Sequence, residues 1–401
     1  MTDFDFAARV GRVEPSATLA ISNLANELEA DGIDVVDLSV GEPDFDTPAN
    51  IKQAAEASLE AGDTGYTSSN GIPELREAIA DKLRADGIDC EAGNVVVTPG
   101  GKQALYEIFH TLIDDGDEVV LLDPAWVSYE AQARMAGADL SRVDLSPYGF
   151  QLDPALDDLA ETVSDDTELL VVNSPSNPTG AVYSDAALEG VRDLAVDHDI
   201  TVISDEMYDE ITYGVEQTSL GSLAGMGDRT LTVNGFSKAY AMTGWRLGYF
   251  CAPEAFVSQA GKIQSHSVSC AVNFVQHAGV EALRNTDEAV GEMRAAFRER
   301  RDMLADLFAD HGVDVPVGDG AFYMMLPVDE DCEALAASDW GSGDEPRPVD
   351  QAWCEGAIEE AHVATVPGSA FGTPGYARLS YAASQERLQE GVERLAEHGY
   401  I

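Results

Sequence analysis

Positive charge is what this chain has least of. Lys and Arg together number 23 against 73 Asp and Glu, a formal net charge of −50 over 401 residues. Such a field repels phosphate backbones and anionic headgroups, which argues against nucleic acid and membrane surfaces as partners. Lysine occurs only at Lys52, Lys82, Lys102, Lys238 and Lys262. Cysteine is also sparse: Cys90, Cys251, Cys270, Cys332 and Cys354 are scattered, odd in number and never spaced as CxxC. That pattern argues against a zinc site and fits free thiols in a reducing cytosol. No apolar run of about 18 residues occurs, so no transmembrane helix is expected. The first residues carry early acids and no apolar core segment, so no secretory signal is expected and the location reads as cytoplasmic. The acids are dispersed along the chain, which fits adaptation to high salt, where screening relieves self-repulsion. The alternative is a partner with a large basic surface.

What is present is an ordinary globular composition, 45% apolar, in a chain longer than one core usually spans. Apolar runs alternate with helical patterns. Strands are expected at 95–98, 118–122, 169–173, 200–205 and 230–234, with helices at 102–113, 128–136 and 185–197 between them. This alternation reads as an α/β fold, a mostly parallel central sheet covered by helices. One more strand is expected at 247–251. Long helices follow at 253–264, 273–284 and 287–311, then short strands at 321–326 and 377–381 and a closing helix at 385–397. Before the sheet, helices are expected at 16–28, 49–60 and 72–85 and a strand at 35–40. The expected division is an arm over 1–47 packing on the smaller domain, a large domain over 48–285 and a small α+β domain over 286–401. The acidic stretch 338–348, with its glycines and prolines, reads as a surface loop.

Within this frame, residues 231–250 (LTVNGFSKAYAMTGWRLGYF) stand out. Lys238 has small and apolar neighbours in sequence and no adjacent carboxylate. Desolvation favours the neutral amine, the form a Schiff-base nucleophile needs. Ser237 adds a hydroxyl and Arg246 a planar cation, a pair suited to a phosphate. Pyridoxal phosphate (PLP) satisfies all three; a buried turn with a snorkelling lysine is the plainer alternative. Gly100 and Gly101 sit between a strand and a helix, where backbone N–H groups can meet an anion. Asp205 ends a strand, where open α/β sheets bind ligands, and can hold a pyridine nitrogen protonated or cap a helix. Tyr208 follows it and can donate to a phenolate-like oxygen or fill the core. Residues 173–180 (NSPSNPTG) force a tight loop that presents Asn177. Trp126 can stack on a ring or pack in the core. Arg378, in an otherwise apolar strand, needs an anion: a substrate carboxylate or a structural acid. Tyr66 reads equally as a surface-loop tyrosine.

Together these stretches resemble the class I/II aminotransferases, PLP enzymes of fold type I, and most closely the prokaryotic aspartate aminotransferases. VGEPDFDTP, YTSSNGIPELREAIA, TPGGKQAL, PAWVSY, NSPSNPTGAVY, SDEMYDEI, SKAYAMTGWRLGY, PGSAFG and RLSYA occur in the family's order. The resemblance implies that Lys238 bonds the cofactor covalently and then shuttles a proton. It implies Asp205 on the pyridinium nitrogen, Tyr208 and Asn177 on the phenolic oxygen and Trp126 against the ring. Gly101 and Lys102 (through backbone N–H), Ser237 and Arg246 are implied at the phosphate, with Tyr66 reaching the phosphate of a second subunit in a homodimer. Arg378, helped by Gly41 and Asn177, is implied at the substrate α-carboxylate. The arm before Gly41 is implied to close over substrate. The substrates implied are an amino acid, aspartate first, and a 2-oxo acid such as 2-oxoglutarate. Combined with the acidic composition, the resemblance points to a haloarchaeal source. One departure is Glu14, where relatives hold a basic residue that helps bind a distal carboxylate; His266 is the only cation that 263–273 offers in exchange. An aromatic or broad-specificity aminotransferase is therefore the alternative, and a C–S lyase of the same fold a further one.

Overall fold

The computed structural model describes residues 4–336 and 348–401. A short 3-10 turn, Ala8–Arg12, precedes helix α1 (Ala17–Ala30) and the two-residue strand β1 (Val36–Asp37). Helices α2 (Ala49–Ala61) and α3 (Pro73–Ala85) follow. Pro73 opens α3 where its missing N–H costs nothing, and Lys82 and Arg84 stand in its last turn, favourable to the helix dipole.

The central sheet then builds in alternation: β2 (Val95–Thr98), α4 (Gly101–Leu112), β3 (Glu118–Asp123), α5 (Val127–Ala136), β4 (Asp139–Asp144), α6 (Leu156–Thr162), β5 (Thr167–Asn173), α7 (Asp185–Asp197), β6 (Thr201–Asp205), β7 (Thr230–Gly235) and β8 (Gly248–Cys251). Strand order is β2-β8-β7-β6-β5-β3-β4. The inner strands β3, β5 and β6 are valine-, isoleucine- and leucine-rich and buried on both faces, as helices on both sides require. β8 is antiparallel to both of its neighbours, β7 and β2, while the other strands are parallel. Strand direction leaves no mark on an apolar run, so the sequence pattern gave β8 but not its sense. The polar strand β4 (DLSRVD) went unrecognised because it is the sheet's edge beside β3 and is only partly buried.

Helices α8 (Glu254–Ser267), α9 (Asn273–Asn285) and α10 (Asp287–Asp310) come next, followed by β9 (Tyr323–Pro327), α11 (Glu333–Ala336), α12 (Val349–Glu359), β10 (Val363–Ala364), β11 (Val366–Pro367), β12 (Tyr376–Ser380) and α13 (Gln385–Glu397). β11, β12 and β9 form an antiparallel sheet, and β10 pairs in parallel with β1. The strand expected over 35–40 is cut to two residues because Ser39 turns back on Asp37, its N–H and hydroxyl donating to Oδ1 at 2.9 and 2.6 Å. The surface-loop expectation for 338–348 lies outside the described residues up to 347; Pro348 is exposed and precedes α12. α1 packs through Ala25 on Val35, Ile358 and Ala364, whereas Arg12 of the preceding turn reaches Asp115, 3.0 Å away beside the central sheet. Residues 12–30 thus reach from the central sheet to the β1–β10 pair.

Candidate active site

The C-terminal ends of β2, β5, β6 and β7 converge, and β8 starts at the same edge. Register places Asn173 beside Asp205, Asp205 beside Val233, and Gly248 between Gly235 and Thr98. A cleft of about 510 Å³ opens there, as the topology of an open α/β sheet favours. Gly41, Gly101, Lys102, Trp126, Asn177, Asp205, Tyr208, Ser237, Lys238, Arg246 and Arg378 all line it, although they are scattered over more than three hundred residues of sequence. Tyr66 does not; it is 91% exposed on the loop that Asn273 fastens through Gly65. Glu14 and His266 are exposed and line no part of the cleft. Thr18, Leu19 and Ser22 of α1 complete its wall.

Four cations, Lys102, Lys238, Arg246 and Arg378, share this cleft, and none has a carboxylate at ion-pair distance among the described residues. In a chain with threefold more acids than bases, four unpaired cations in one cleft mark a site for anions. Lys238 donates from Nζ to the Gly41 carbonyl at 2.5 Å. Burial, opposed by Glu42 and reinforced by the Arg378, Arg246 and Lys102 cations, pulls its ammonium down from 10.5 to about 8. Arg378 is 2% exposed and sandwiched between the rings of Tyr323 and Phe371, 4.7 and 5.1 Å from their centroids. Its Nη1 donates to Asn177 Oδ1 at 3.1 Å and its Nη2 to the Ser39 carbonyl at 2.5 Å, but its buried Nε has no partner. A buried guanidinium with an unsatisfied N–H and no carboxylate partner is short of an anion, which a substrate carboxylate in the cleft would supply.

Asp205 is 4% exposed. Burial pushes its carboxyl up to about 6, against a 2.7 Å hydrogen bond donated by Tyr129, one from the Met207 N–H and the Lys238 charge. Sequence reasoning gave Tyr129 no role, although it follows Trp126 by one helical turn on α5. Tyr129→Phe removes the strongest hydrogen bond to the Asp205 carboxylate and leaves the Met207 N–H and the Lys238 charge, so its carboxyl rises further. The acidic limb of cofactor affinity moves up with it. An unmoved limb means that the hydroxyl does not support the carboxylate. Tyr323 was also missed. Its hydroxyl lies 2.9 Å from that of Tyr208 and would meet any side chain at Gly41, 2.7 Å from where a Cβ would stand.

Pyridoxal phosphate fits this set. The N-terminus of α4 leaves room only for bare backbone: a Cβ on Gly100 (φ +88°) would lie 2.6 Å from Arg246 Nη2, and one on Gly101 2.5 Å from Met207 Cε. A phosphate there would meet helix N–H groups, the Ser237 hydroxyl and the Arg246 fork. Asp205 offers the buried carboxylate a pyridinium nitrogen requires, Trp126 a flat face, and Lys238 an amine for the aldehyde.

Comparison with known proteins agrees. The profile of the family "Aminotransferase class I and II" matches residues 33–395. A probable aspartate/prephenate aminotransferase of Aquifex aeolicus is 43% identical over 97% of both chains. The aspartate/prephenate aminotransferase of Thermus thermophilus is 42% identical over 97% of both. The solved structure of the Thermus thermophilus aspartate aminotransferase with maleate superposes with a TM-score of 0.90, at 40% identity over 99% of this chain and 100% of the other. The chain belongs to the class I and II aminotransferases, PLP-dependent enzymes of fold type I.

Proposed function

We propose that this aminotransferase takes the amino group of L-aspartate and delivers it to a 2-oxo acid, 2-oxoglutarate first, in two half-reactions at one site. The observation that carries the proposal is the set of four unpaired cations in an otherwise acidic molecule. A dicarboxylate substrate and a phosphate together present three anionic groups, and the cleft has a cation for each beside the reactive lysine. The bound cofactor supplies the aldehyde that carries the amino group and the ring that accepts electrons.

The residues act as follows. Arg246, Ser237 and the Gly101 and Lys102 N–H groups hold the phosphate. Asp205 keeps a proton on the ring nitrogen, Trp126 covers one face, and Tyr208 and Asn177 hold the phenolic oxygen, Tyr208 oriented by Tyr323. Arg378 clamps the α-carboxylate, with Asn177 and the Gly41 backbone beside it. Lys238 Nζ moves the proton at the substrate Cα. The Lys102 side chain stands at the rim, 4.9 Å over the Trp126 ring, and remains free for the distal carboxylate. Glu14 is exposed and does not line the cleft, so it does not stand against that charge. The two relatives, both aspartate/prephenate aminotransferases by name, support aspartate as donor and add prephenate as an acceptor to test.

The proposal divides the chain into the arm (1–47), a large domain (48–285) and a small domain (286–401), and assembles two copies so that Tyr66 of each serves the other's phosphate. The exposure of Tyr66 supports this. A salt-adapted, haloarchaeal cytoplasm is the proposed setting, on the net charge of −50. Activity and stability then rise with KCl into the molar range; full activity after long incubation in dilute buffer contradicts the setting.

Steady-state rates for aspartate, glutamate, alanine and phenylalanine against 2-oxoglutarate, and for aspartate against prephenate, test the substrates. Aspartate is expected to lead. Lys102→Gln lowers kcat/KM for aspartate by about 10- to 100-fold and leaves alanine within about threefold. Equal losses for both donors would remove the side chain from distal-carboxylate recognition, and a lead for phenylalanine would favour an aromatic aminotransferase.

A further inference from the structure

Away from the cleft, two buried thiols face each other. Cys90 lies on the connection between α3 and β2, and Cys251 ends β8; their Sγ atoms are 3.0 Å apart. Cys90 is 1% and Cys251 6% exposed. Both backbones are pinned. Arg84 Nη1 donates to the Cys90 carbonyl at 2.7 Å, and Cys251 is held between Val95 of β2 and Thr232 of β7. Directly after it, Ala252 exchanges hydrogen bonds with Asn94: its N–H donates at 3.0 Å and its carbonyl accepts from the side chain at 3.1 Å. A sulfur–sulfur bond of about 2.0 Å needs the sulfurs to close by only about 1 Å from this position.

We infer that Cys90 and Cys251 form an oxidisable pair that a small, uncharged hydroperoxide converts to a disulfide. Cys251 lines a narrow surface cleft of about 30 Å³, with Asp89 at its wall. That volume suits a molecule on the scale of water or hydrogen peroxide, and the acid disfavours an anionic oxidant such as glutathione disulfide. The Cys90 thiolate, to which Cys251 donates its S–H, gives an electron pair to a peroxide admitted past Cys251; the O–O bond breaks, a Cys90 sulfenic acid forms, and the hydroxide released takes the Cys251 proton as one water. The Cys251 thiolate so formed then attacks the Cys90 sulfur. The S–S bond forms, the S–O bond breaks, and the hydroxide leaves as a second water with the proton that Cys90 has shed. Two thiols lose two electrons and one peroxide gains them. Contact with Cys251 and the nearby Arg84 charge hold the Cys90 thiol below its ordinary value despite burial, which suits it to attack the peroxide. Cys354 is buried, and Cys270 and Cys332 are half-buried.

The new bond would close a loop spanning 161 positions that contains β2 to β8, and with them the turn at Gly100 and the lysine at 238. Such a link restricts the unfolded chain, so melting temperature rises by about 5 °C. It does so without touching the site, because Gly248, not Cys251, packs against Gly101.

The test uses the cofactor-loaded enzyme in high salt, treated with hydrogen peroxide at low excess, quenched, alkylated in denaturant and mapped without reduction. A linked pair of peptides carrying Cys90 and Cys251 is expected. Free thiols fall from five to three, melting temperature rises by about 5 °C, dithiothreitol reverses both changes, and kcat is unchanged. Cys251→Ala and Cys90→Ser each abolish the gain. Recovery of Cys90 and Cys251 as two alkylated thiols while other cysteines are oxidised overturns the inference. So does a link between any other pair. The wild-type map decides even if neither variant folds.

Discussion

Lys238→Ala lowers transamination by about 10⁴-fold or more, because one substitution removes both the nucleophilic amine and the group that moves the Cα proton. The fold tolerates the change. Lys238 makes one hydrogen bond, to the Gly41 carbonyl, and its ammonium is disfavoured by burial and by three neighbouring cations. Its pH signature is separable from catalysis. The folded value is near 8 and the ordinary value 10.5, so between those limits the unfolded chain keeps a proton that the folded chain has lost. Stability of the cofactor-free protein therefore rises with pH from about 8 to 10.5, and Lys238→Ala flattens that rise. The neutral fraction also governs cofactor capture, which climbs toward pH 8 and levels above it. Denaturation midpoints and capture rates across pH 6.5–10.5 read both. A variant that still turns over aspartate at the wild-type rate would remove Lys238 from the chemistry.

Arg378→Ala is the second large effect. The guanidinium is held flat between Tyr323 and Phe371, tied to Asn177 and Ser39, and left with a free Nε. Truncation removes the carboxylate clamp and strands two buried acceptors. For aspartate, kcat/KM falls by about 10³-fold, mostly through KM. Arg378→Lys recovers only part of this, since an ammonium cannot reproduce the planar fork. Cofactor absorbance is retained in both variants, because Lys238, Ser237 and Arg246 are untouched; that retention separates lost substrate binding from lost fold. An unchanged KM would mean that the carboxylate sits elsewhere.

The parts of this molecule legible in its sequence are those written locally. β2 and β5 to β7 are short apolar runs bounded by helices or turns, and Asp205 and Asn177 could be placed at a sheet's end by counting from them. Lys238 was legible through its apolar neighbours. The contacts that complete the site were not. Tyr129 and Asp205 are 76 positions apart, Tyr208 and Tyr323 are 115, and Cys90 and Cys251 are 161. Nothing in a run of residues records such a meeting, which packing alone creates. Glu14 shows the converse: its charge was visible, but whether that charge lined the cleft depended on the path of the segment between the 3-10 turn and α1. Helix α12 was missed in the sequence because its short run follows directly on the Gly- and Pro-containing stretch 338–348 that reads as a loop.

The most direct test of the transaminase account is a half-reaction. The cofactor-loaded enzyme in high salt is mixed with L-aspartate and no acceptor, and the cofactor's absorbance is followed. One equivalent of 2-oxo acid per site without ammonia, with a spectral change that 2-oxoglutarate reverses, is the result expected. Continuing release of 2-oxo acid together with ammonia, with the spectrum unchanged and no acceptor needed, would contradict it.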